Sequence, residues 1–162
     1  MGKKLVVHLG SNYGRRKKNI QTAIEALEQV FGPSNSSSWY ETAAWGKTDQ
    51  NDFINLALAF ELERAWDALE VLREIIIIET SMGRERFEKW GPRIIDIDIL
   101  YLDDEQVKNK ILEIPHPLLH ERRFVLEPLA EILPNFRHPL LGKSSQQMLD
   151  ALTDDLKVCK IK

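Results

Sequence analysis

The sequence predicts an α+β domain in which an antiparallel sheet packs against helices. The chain has 162 residues, 43% of them apolar, which is enough for one domain with a buried core. Hydrophobic patterns follow the order strand, helix, two strands, helix, strand, and then mainly helical additions. Helices that alternate with strand pairs favour an antiparallel, ferredoxin-like sandwich over a parallel sheet. We therefore expect a single three-layer domain over residues 1–162, with helices packed on the sheet.

The first third of the chain has clear start and stop signals. An apolar run predicts the first strand, and Gly10-Ser11-Asn12 is typical of the turn after it. His8 lies inside this strand, where a lone histidine is more often structural than a ligand. The next apolar residues recur at helical spacing until Gly32-Pro33. The predicted elements are a strand over 5–9, a helix over 20–31 and a strand over 36–44.

Residues 53–62 carry the clearest strand pattern, because apolar residues alternate strictly with others. Ile54, Leu56 and their alternate neighbours predict a core-facing side, which leaves Phe53 and Asn55 adjacent on the opposite face. An aromatic ring beside an amide can hold a flat heterocycle by stacking and paired hydrogen bonds. A second core layer with an edge asparagine explains the same pattern equally well.

The following segment predicts a helix over 65–82 that ends at Gly83. Its four consecutive isoleucines, 75–78, have β propensity and oppose a helix locally. Glu79 lies on the stripe of Leu72, so it either reaches water at the helix end or pairs with an arginine of the next loop. Further on, the patterns indicate a hairpin near 106–112, a helix over 121–131 that Pro128 divides into two pieces, and a short terminal helix near Leu149 and Leu152.

Two aspartates mark the strand after the basic loop 84–93. Ile94 to Leu100 favours extended backbone, in which Asp96 and Asp98 share one face and lie roughly 6.5–7 Å apart at Cα. Such carboxylates are often just the wet side of a strand. Here Ile94 and Leu100 flank them on the same face, and two like charges so close repel unless a cation lies between them.

The chemistry of this segment indicates a hard cation and phosphate. Carboxylates without neighbouring Cys or His suit Mg²⁺, which protein sites usually complete with substrate phosphates and water. The loop 84–93 holds four basic residues against two acidic ones, in a chain of net charge −3. Because arginine matches phosphate oxygens, the combination indicates a nucleoside triphosphate site. Neither common phosphate-binding glycine loop is present in the sequence.

Composition argues against several other classes. The pI near 5.8 disfavours a dedicated nucleic-acid binder, and the longest apolar run is too short to span a membrane. One cysteine, Cys159, cannot form an internal disulfide, and the N-terminus lacks the apolar segment of a signal peptide. We therefore expect a cytoplasmic protein with neither nucleic-acid nor membrane partners. We also expect a monomer that acts on small-molecule substrates.

The stretch from Trp90 to Leu100, WGPRIIDIDIL, resembles the 6-hydroxymethyl-7,8-dihydropterin pyrophosphokinases of folate biosynthesis. The resemblance covers almost the whole chain and includes four further stretches. These are Gly10-Ser11-Asn12, Phe53-Ile54-Asn55-Leu56-Ala57, Pro115-His116 and Arg122-Arg123-Phe124. It implies a ferredoxin-like fold and transfer of pyrophosphate from ATP to the hydroxymethyl group of the pterin, which leaves AMP.

The resemblance also implies roles for individual residues. Asp96 and Asp98 correspond to ligands of two Mg²⁺ ions, and with Arg84 and Arg93 they form the expected catalytic set. The pterin site corresponds to the rings of Phe53 and Phe124, the amide of Asn55 and the backbone near Thr42, Ala43 and Trp45. The ATP site corresponds to Glu79, Arg84, Lys89, Trp90, Arg93, Ile99, His116 and Arg122.

Two departures from the family pattern are visible. Many members have Thr-Pro-Pro where this chain has Thr42-Ala43-Ala44, and tyrosine is frequent at the position of Phe53. A metal-dependent D-x-D nucleotide-sugar transferase is an alternative, but it needs an N-terminal nucleotide domain that the 95 residues before Asp96 do not indicate. A non-catalytic RNA-binding sandwich shares the topology, but it calls for a basic surface.

Overall fold

The computed structural model describes residues 2–43, 51–83, 93–153 and 156–161. Within these ranges the chain forms strands and helices in the mixed order that the sequence predicts, with one 3₁₀ turn at Leu119–Glu121. The strands and α-helices, in chain order, are β1 Lys4–Ser11, α1 Arg16–Phe31, β2 Ser34–Ser36, β3 Tyr40–Thr42, β4 Phe53–Glu61, α2 Ala68–Ser81, β5 Asp96–Leu102, β6 Val107–Lys108, β7 Glu113–Ile114, α3 Arg123–Ile132, α4 Ser145–Asp150 and β8 Val158–Lys160.

The main sheet has six strands in the order β5-β1-β4-β3-β8, and β2 also pairs with β4. Each of its strand pairs is antiparallel. Strands β6 and β7 form a separate two-stranded ribbon. An antiparallel sheet in a mixed α/β fold is therefore confirmed.

One face of the sheet carries the larger core. Leu56, Leu58 and Phe60 of β4 are fully buried in a cluster that includes residues of α1 and α2. Ile20 of α1 and Ile75 of α2 belong to the same cluster. The predicted inward side of β4 is thus confirmed, because apolar residues two apart on a strand share one face.

The opposite face packs against α3 and α4. Val6 of β1, Ala59 of β4 and Tyr101 of β5 join Leu126 and Leu129 of α3 in a second buried cluster. Helices therefore lie on both faces of the sheet. Both faces of β4 are buried along most of its length, which places this strand at the centre of the molecule.

The four isoleucines 75–78 are helical in spite of their β propensity. Ile75 and Ile78 are buried against the first core, and tertiary packing outweighs an intrinsic preference of a few tenths of a kcal/mol per residue. Asp67 caps the helix: it accepts the backbone N–H of Glu70, whose side chain accepts the N–H of Asp67.

The strand predicted over 36–44 is broken into β2 and β3. Between them, Ser37 keeps its bonds to Ala57, and the N–H and hydroxyl of Ser38 donate to the carboxylate of Glu131 on α3. Tyr40 also donates its hydroxyl to Glu131, at 2.5 Å. The break therefore follows from a carboxylate of the neighbouring layer, which the local sequence does not reveal.

Three further expectations differ from the structure. The ribbon pairs 107–108 with 113–114, because Asn109 accepts the N–H groups of Ile111 and Leu112 and so forms the turn. Pro128 lies inside a single helix α3 and does not divide it. The terminal strand β8 was not predicted, since three residues at an edge carry too little pattern.

We predict that Ile75→Ala lowers the free energy of unfolding by about 2–5 kcal/mol, because it leaves a cavity in the first core. Ile77 is the matched control in the same helix, with 54% of its surface exposed. Ile77→Ala should change stability by less than about 0.5 kcal/mol. Urea unfolding followed by circular dichroism measures both, and equal losses would contradict the assigned helix face.

Candidate active site

Cross-strand pairing places the candidate residues in rows on the face towards α3. We name these the Gly10 row (Asp96, Gly10, Asn55), the His8 row (Asp98, His8, Ala57) and the Val6 row (Tyr101, Val6, Ala59). Directly opposed residues share a face, so each row runs side by side across β5, β1 and β4. Strands lie about 4.8 Å apart, which separates Asp96 from Asn55 by roughly 10 Å across Gly10.

Asn55 presents an unsatisfied hydrogen-bond acceptor in the Gly10 row. Its residue exposure is 1%, and its Nδ2 donates to the Thr42 hydroxyl at 3.2 Å. Its Oδ1 is buried and has no hydrogen-bond partner within the described part of the chain. A buried polar atom of this kind is costly unless a ligand or water satisfies it. The amide is therefore suited to receive an N–H group of a bound molecule.

Because Gly10 has no side chain, the surface of this row lies at the level of the backbone there. A Cβ built on Gly10 lies 3.4 Å from Cδ1 of Phe53, so the Phe53 ring stands directly beside the glycine. Phe53 begins β4 and is partly exposed. A larger side chain at position 10 would project from the row between Asp96 and Asn55, where a flat ligand can lie against the Phe53 ring.

Phe124 borders the His8 row from the start of α3. Its carbonyl accepts a hydrogen bond from Nε2 of His8 at 3.1 Å, and the two rings are 5.7 Å apart. Pro128, four residues later, has no N–H to give to that carbonyl, so the helix leaves it available to His8. The guanidinium of Arg122 lies 5.6 Å from the Phe124 ring. His8 and Pro128 together set the position of this aromatic ring.

The two aspartates fit a hard cation that is completed by a substrate. Asp96 and Asp98 are half-buried on one face of β5, and Nη1 of Arg93 lies 3.3 Å from Oδ2 of Asp96. Within the described ranges, no group of three or more acidic, His or Cys residues forms a metal cage. Mg²⁺ needs none, because one or two carboxylates with phosphate oxygens and water fill its octahedron.

Two neutral histidines accompany this charge. Burial lowers the pKa of His8 to about 4, although the Phe124 carbonyl and Asp96 oppose the change. Burial and the nearby Arg122 likewise lower the pKa of His116 to about 4, against the attraction of Asp96. Nδ1 of His116 accepts the Leu118 N–H at 3.2 Å, which leaves Nε2 protonated as a donor. Positive charge near the acids thus comes from arginine.

A cleft of about 830 Å³ opens beside the aspartates, between α2, the outer edge of β5 and the β6–β7 ribbon. Glu79 lines it but does not reach water: it is 6% exposed and accepts the N–H of Ile97 at 2.8 Å. That N–H points away from β1, and Ile99, two residues later on the same strand, also lines the cleft. The lining includes Leu72, Ile76, Glu79, Ile99, Ile111 and His116.

The structure brings most of the sequence-predicted residues to this region. Glu79 is buried, so its predicted alternative of a water-exposed helix end is wrong. Two arginines of the next loop, Arg84 and Arg86, fall outside the described residues, as do Trp45, Lys89 and Trp90, so the predicted pairing of Glu79 with an arginine of that loop stays a prediction. The predicted residues on or beside the rows and the cleft are Thr42, Phe53, Asn55, Glu79, Arg93, Asp96, Asp98, Ile99, His116, Arg122 and Phe124, and Ala43 directly follows β3.

Sequence reasoning gave no site role to several residues that the fold places here. The sequence predicts a turn at Gly10 and Asn12, whereas β1 continues through Ser11. Only the pairing partners of these two residues show which site residues they adjoin. Leu72 and Ile76 read as ordinary helix positions. The ribbon side of the cleft depends on tertiary contact, so its residues carry no local signal.

Comparison with known proteins identifies the family. The family model described as 7,8-dihydro-6-hydroxymethylpterin-pyrophosphokinase (HPPK) matches residues 6–134. The chain belongs to the HPPK family. A 2-amino-4-hydroxy-6-hydroxymethyldihydropteridine pyrophosphokinase of Aquifex aeolicus is 43% identical, over 83% of this chain and 83% of its own length. Proteins of the same name from Synechocystis (40%; 90% and 74%) and Bacillus subtilis (40%; 78% and 75%) are also similar.

Solved structures of the HPPK family share the fold. A crystal structure titled as HPPK-DHPS in complex with substrates matches 92% of this chain with a TM-score of 0.75 at 17% identity. Wild-type Plasmodium falciparum HPPK-DHPS with pteroate matches 91% with a TM-score of 0.74 at 19% identity. The chain spans 43% and 42% of those longer chains. No helix in the described residues of this chain is long and apolar enough to cross a membrane.

The buried His8 predicts a loss of stability in acid. Unfolded histidine binds a proton below pH 6.5, whereas folded His8 resists it until about pH 4. The free energy of unfolding should therefore fall as pH decreases from 6.5 towards 4, with up to about 1.4 kcal/mol per pH unit for one proton. Urea unfolding at stepped pH measures the slope.

His8→Gln keeps a donor for the Phe124 carbonyl but does not titrate, so it should remove part of that slope. Burial also lowers the pKa of His116, so His116 keeps its contribution to the slope in this variant. An unchanged slope in His8→Gln would show that the His8 imidazole does not carry the proton.

Proposed function

We propose that the Gly10 row, the His8 row and the cleft form the active site of a 6-hydroxymethyl-7,8-dihydropterin pyrophosphokinase. The enzyme class follows from the family and its named relatives, which act in folate synthesis on pterin and ATP. The observation that carries the site assignment is the Gly10 row. It places the unpaired Oδ1 of Asn55 and the carboxylate of Asp96 on one face, with Gly10 between them, and Asp98 lies in the neighbouring His8 row.

The pterin would lie on the Gly10 row. The ring of Phe53 is in place beside Gly10 to stack on a flat heterocycle, and Phe124 borders the neighbouring row. The free Oδ1 of Asn55 would accept an N–H from the pterin edge, while Thr42 holds the amide by its other end. We extend the pterin site to the backbone of Ala43 and to Trp45, as the resemblance implies.

ATP would occupy the cleft and reach the acids. The apolar lining and the open edge of β5 at Ile99 suit an adenine ring, which needs stacking area and backbone hydrogen bonds. Arg93, Arg122 and the Nε2–H of His116 supply donors for phosphate oxygens. Glu79 fixes the cleft wall through Ile97. Arg84, Lys89 and Trp90 complete the ATP site in this proposal.

The reaction would be in-line attack of the pterin hydroxyl on the β-phosphorus, with AMP as the leaving group. Asp96 and Asp98 would hold two Mg²⁺ ions, which neutralise phosphate charge when bound. Arg93 and Arg84 would stabilise the same charge. Neutral His8 keeps Phe124 in place, and its Nε2 cannot accept the hydroxyl proton, because that nitrogen already carries the proton given to the Phe124 carbonyl. We assign no general base.

The remaining expectations follow from the same reading. The strand order, with β2 and β3 as one interrupted strand beside β4, supports a ferredoxin-like sandwich. We propose one domain over 1–162 that acts as a monomer in the cytoplasm, without nucleic-acid or membrane partners. The decisive assay is product analysis: ATP, Mg²⁺ and the reduced pterin alcohol should give AMP and not ADP.

We predict that Asp98→Asn lowers kcat by about 10³-fold, because loss of a metal ligand removes several kcal/mol of charge stabilisation. Pterin binding, measured by titration without nucleotide, should stay within about threefold of wild type. Asp104→Asn, in the exposed turn after β5, is the control and should keep normal turnover. Retention of wild-type kcat in Asp98→Asn would exclude this residue as a metal ligand.

Asn55→Ala should weaken pterin binding by about 10- to 100-fold, since a buried hydrogen bond to a ligand contributes about 1–3 kcal/mol. The Kd for ATP should change little. Asn35→Ala, on the exposed strand β2, removes the same amide far from the row. Equal pterin affinity in the two variants would show that the Asn55 oxygen does not read the substrate.

A further inference from the structure

Asn12 connects two parts of the candidate site that are distant in sequence. It directly follows β1 and is 1% exposed. Its backbone N–H donates to the Arg93 carbonyl at 3.0 Å, and its Oδ1 accepts the Arg93 N–H at 2.7 Å. Its Nδ2 donates to the Asn51 carbonyl at 3.3 Å. One residue therefore holds backbone from both sides of the site.

Each anchored backbone leads directly into functional side chains. Arg93 is three residues before Asp96, and its guanidinium pairs with that carboxylate. Asn51 is two residues before Phe53, at the start of the strand that carries Asn55. The Asn12 carboxamide thus lies between the chain that leads to Asp96 and the chain that leads to Phe53.

The chemistry of this bridge requires a primary amide. One end must accept from an N–H and the other must donate to a carbonyl, and asparagine supplies both groups on a short side chain. Serine, alanine and leucine cannot span both partners. Through its two bonds to the Arg93 backbone, Asn12 pairs with that residue much as a β-ladder residue would, although β1 has already ended at Ser11.

Arg16 provides a natural comparison. Its Nη1 donates to the Asp52 carbonyl at 2.7 Å and to the carboxylate of Glu41 at 2.8 Å. These contacts hold the residue before β4 and the middle of β3, both on the pterin side. Among the described residues, the side-chain contacts of Arg16 do not include Arg93 or Asp96.

We propose that Asn12 is a positioning residue. It sets the spacing between the proposed pterin site at the start of β4 and the Arg93–Asp96 pair. In-line transfer needs the hydroxyl and the β-phosphorus within near-attack distance, so an error of 1 Å is expected to cost about 100-fold in rate. The inference rests on the proposed function, and it adds a residue that touches neither substrate but aligns the groups that do.

The test compares variants by kcat, by each KM and by thermal midpoint. Asn12→Ala should lower kcat by about 10- to 100-fold while it still unfolds cooperatively. Asn12→Ser keeps turn propensity but cannot span both partners, so it should show the same kcat loss. It replaces the alanine variant in the test if that variant folds poorly. Arg16→Met should raise the pterin KM and leave kcat within about threefold. Asn35→Ala should match wild type in every measure.

A double-mutant cycle separates positioning from simple destabilisation. If Asn12 acts through the Arg93 guanidinium, the kcat loss of Asn12→Ala should shrink to less than threefold in an Arg93→Ala background. Equal losses in both backgrounds, or a kcat loss that appears only with a lowered thermal midpoint, would overturn the proposal. Wild-type turnover to AMP is measured first, so failure of the proposed function is seen separately.

Discussion

The cross-strand register of β5, β1 and β4 is the constraint on which the site depends. Asp96, Gly10 and Asn55 lie in one row because β1 pairs with both neighbours in antiparallel register. A slip of one residue in either pairing would turn one set of side chains to the opposite core. The apolar residues that alternate with them, such as Leu9 and Leu56, are fully buried against α1 and α2 and so hold the register.

Helix α3 decides which part of the sheet face is covered and which part is left for ligands. Leu126 and Leu129 cover the Val6 row, whereas the helix begins at Arg123 beside the His8 row. The side chain of Arg122 does not cap the helix. A helix start of this kind favours anions, which agrees with the proposed phosphate site.

Local patterns predicted the features that strand geometry alone determines. The alternation along β4 and the shared face of the two aspartates need only the period of two residues. The role of Glu79 and the break at Ser37 could not be predicted in the same way. Each depends on a hydrogen bond between two elements. The Ile97 N–H donates to Glu79 in one case, and Ser38 donates to Glu131 in the other. Edge strand β8 is too short for any periodic signal.

Pro128 shows how one residue can satisfy a fold requirement and a site requirement together. A proline inside a helix usually costs stability, because a carbonyl four residues earlier loses its donor. Here that carbonyl belongs to Phe124, and the buried Nε2–H of His8 replaces the missing donor at 3.1 Å. The exchange ties α3 to the centre of β1. Burial keeps His8 neutral, and the nearby Arg122 adds to this effect. The positive charge at the proposed phosphate site then comes from arginines, which stay charged at every physiological pH, so the electrostatic field of the site does not depend on histidine protonation.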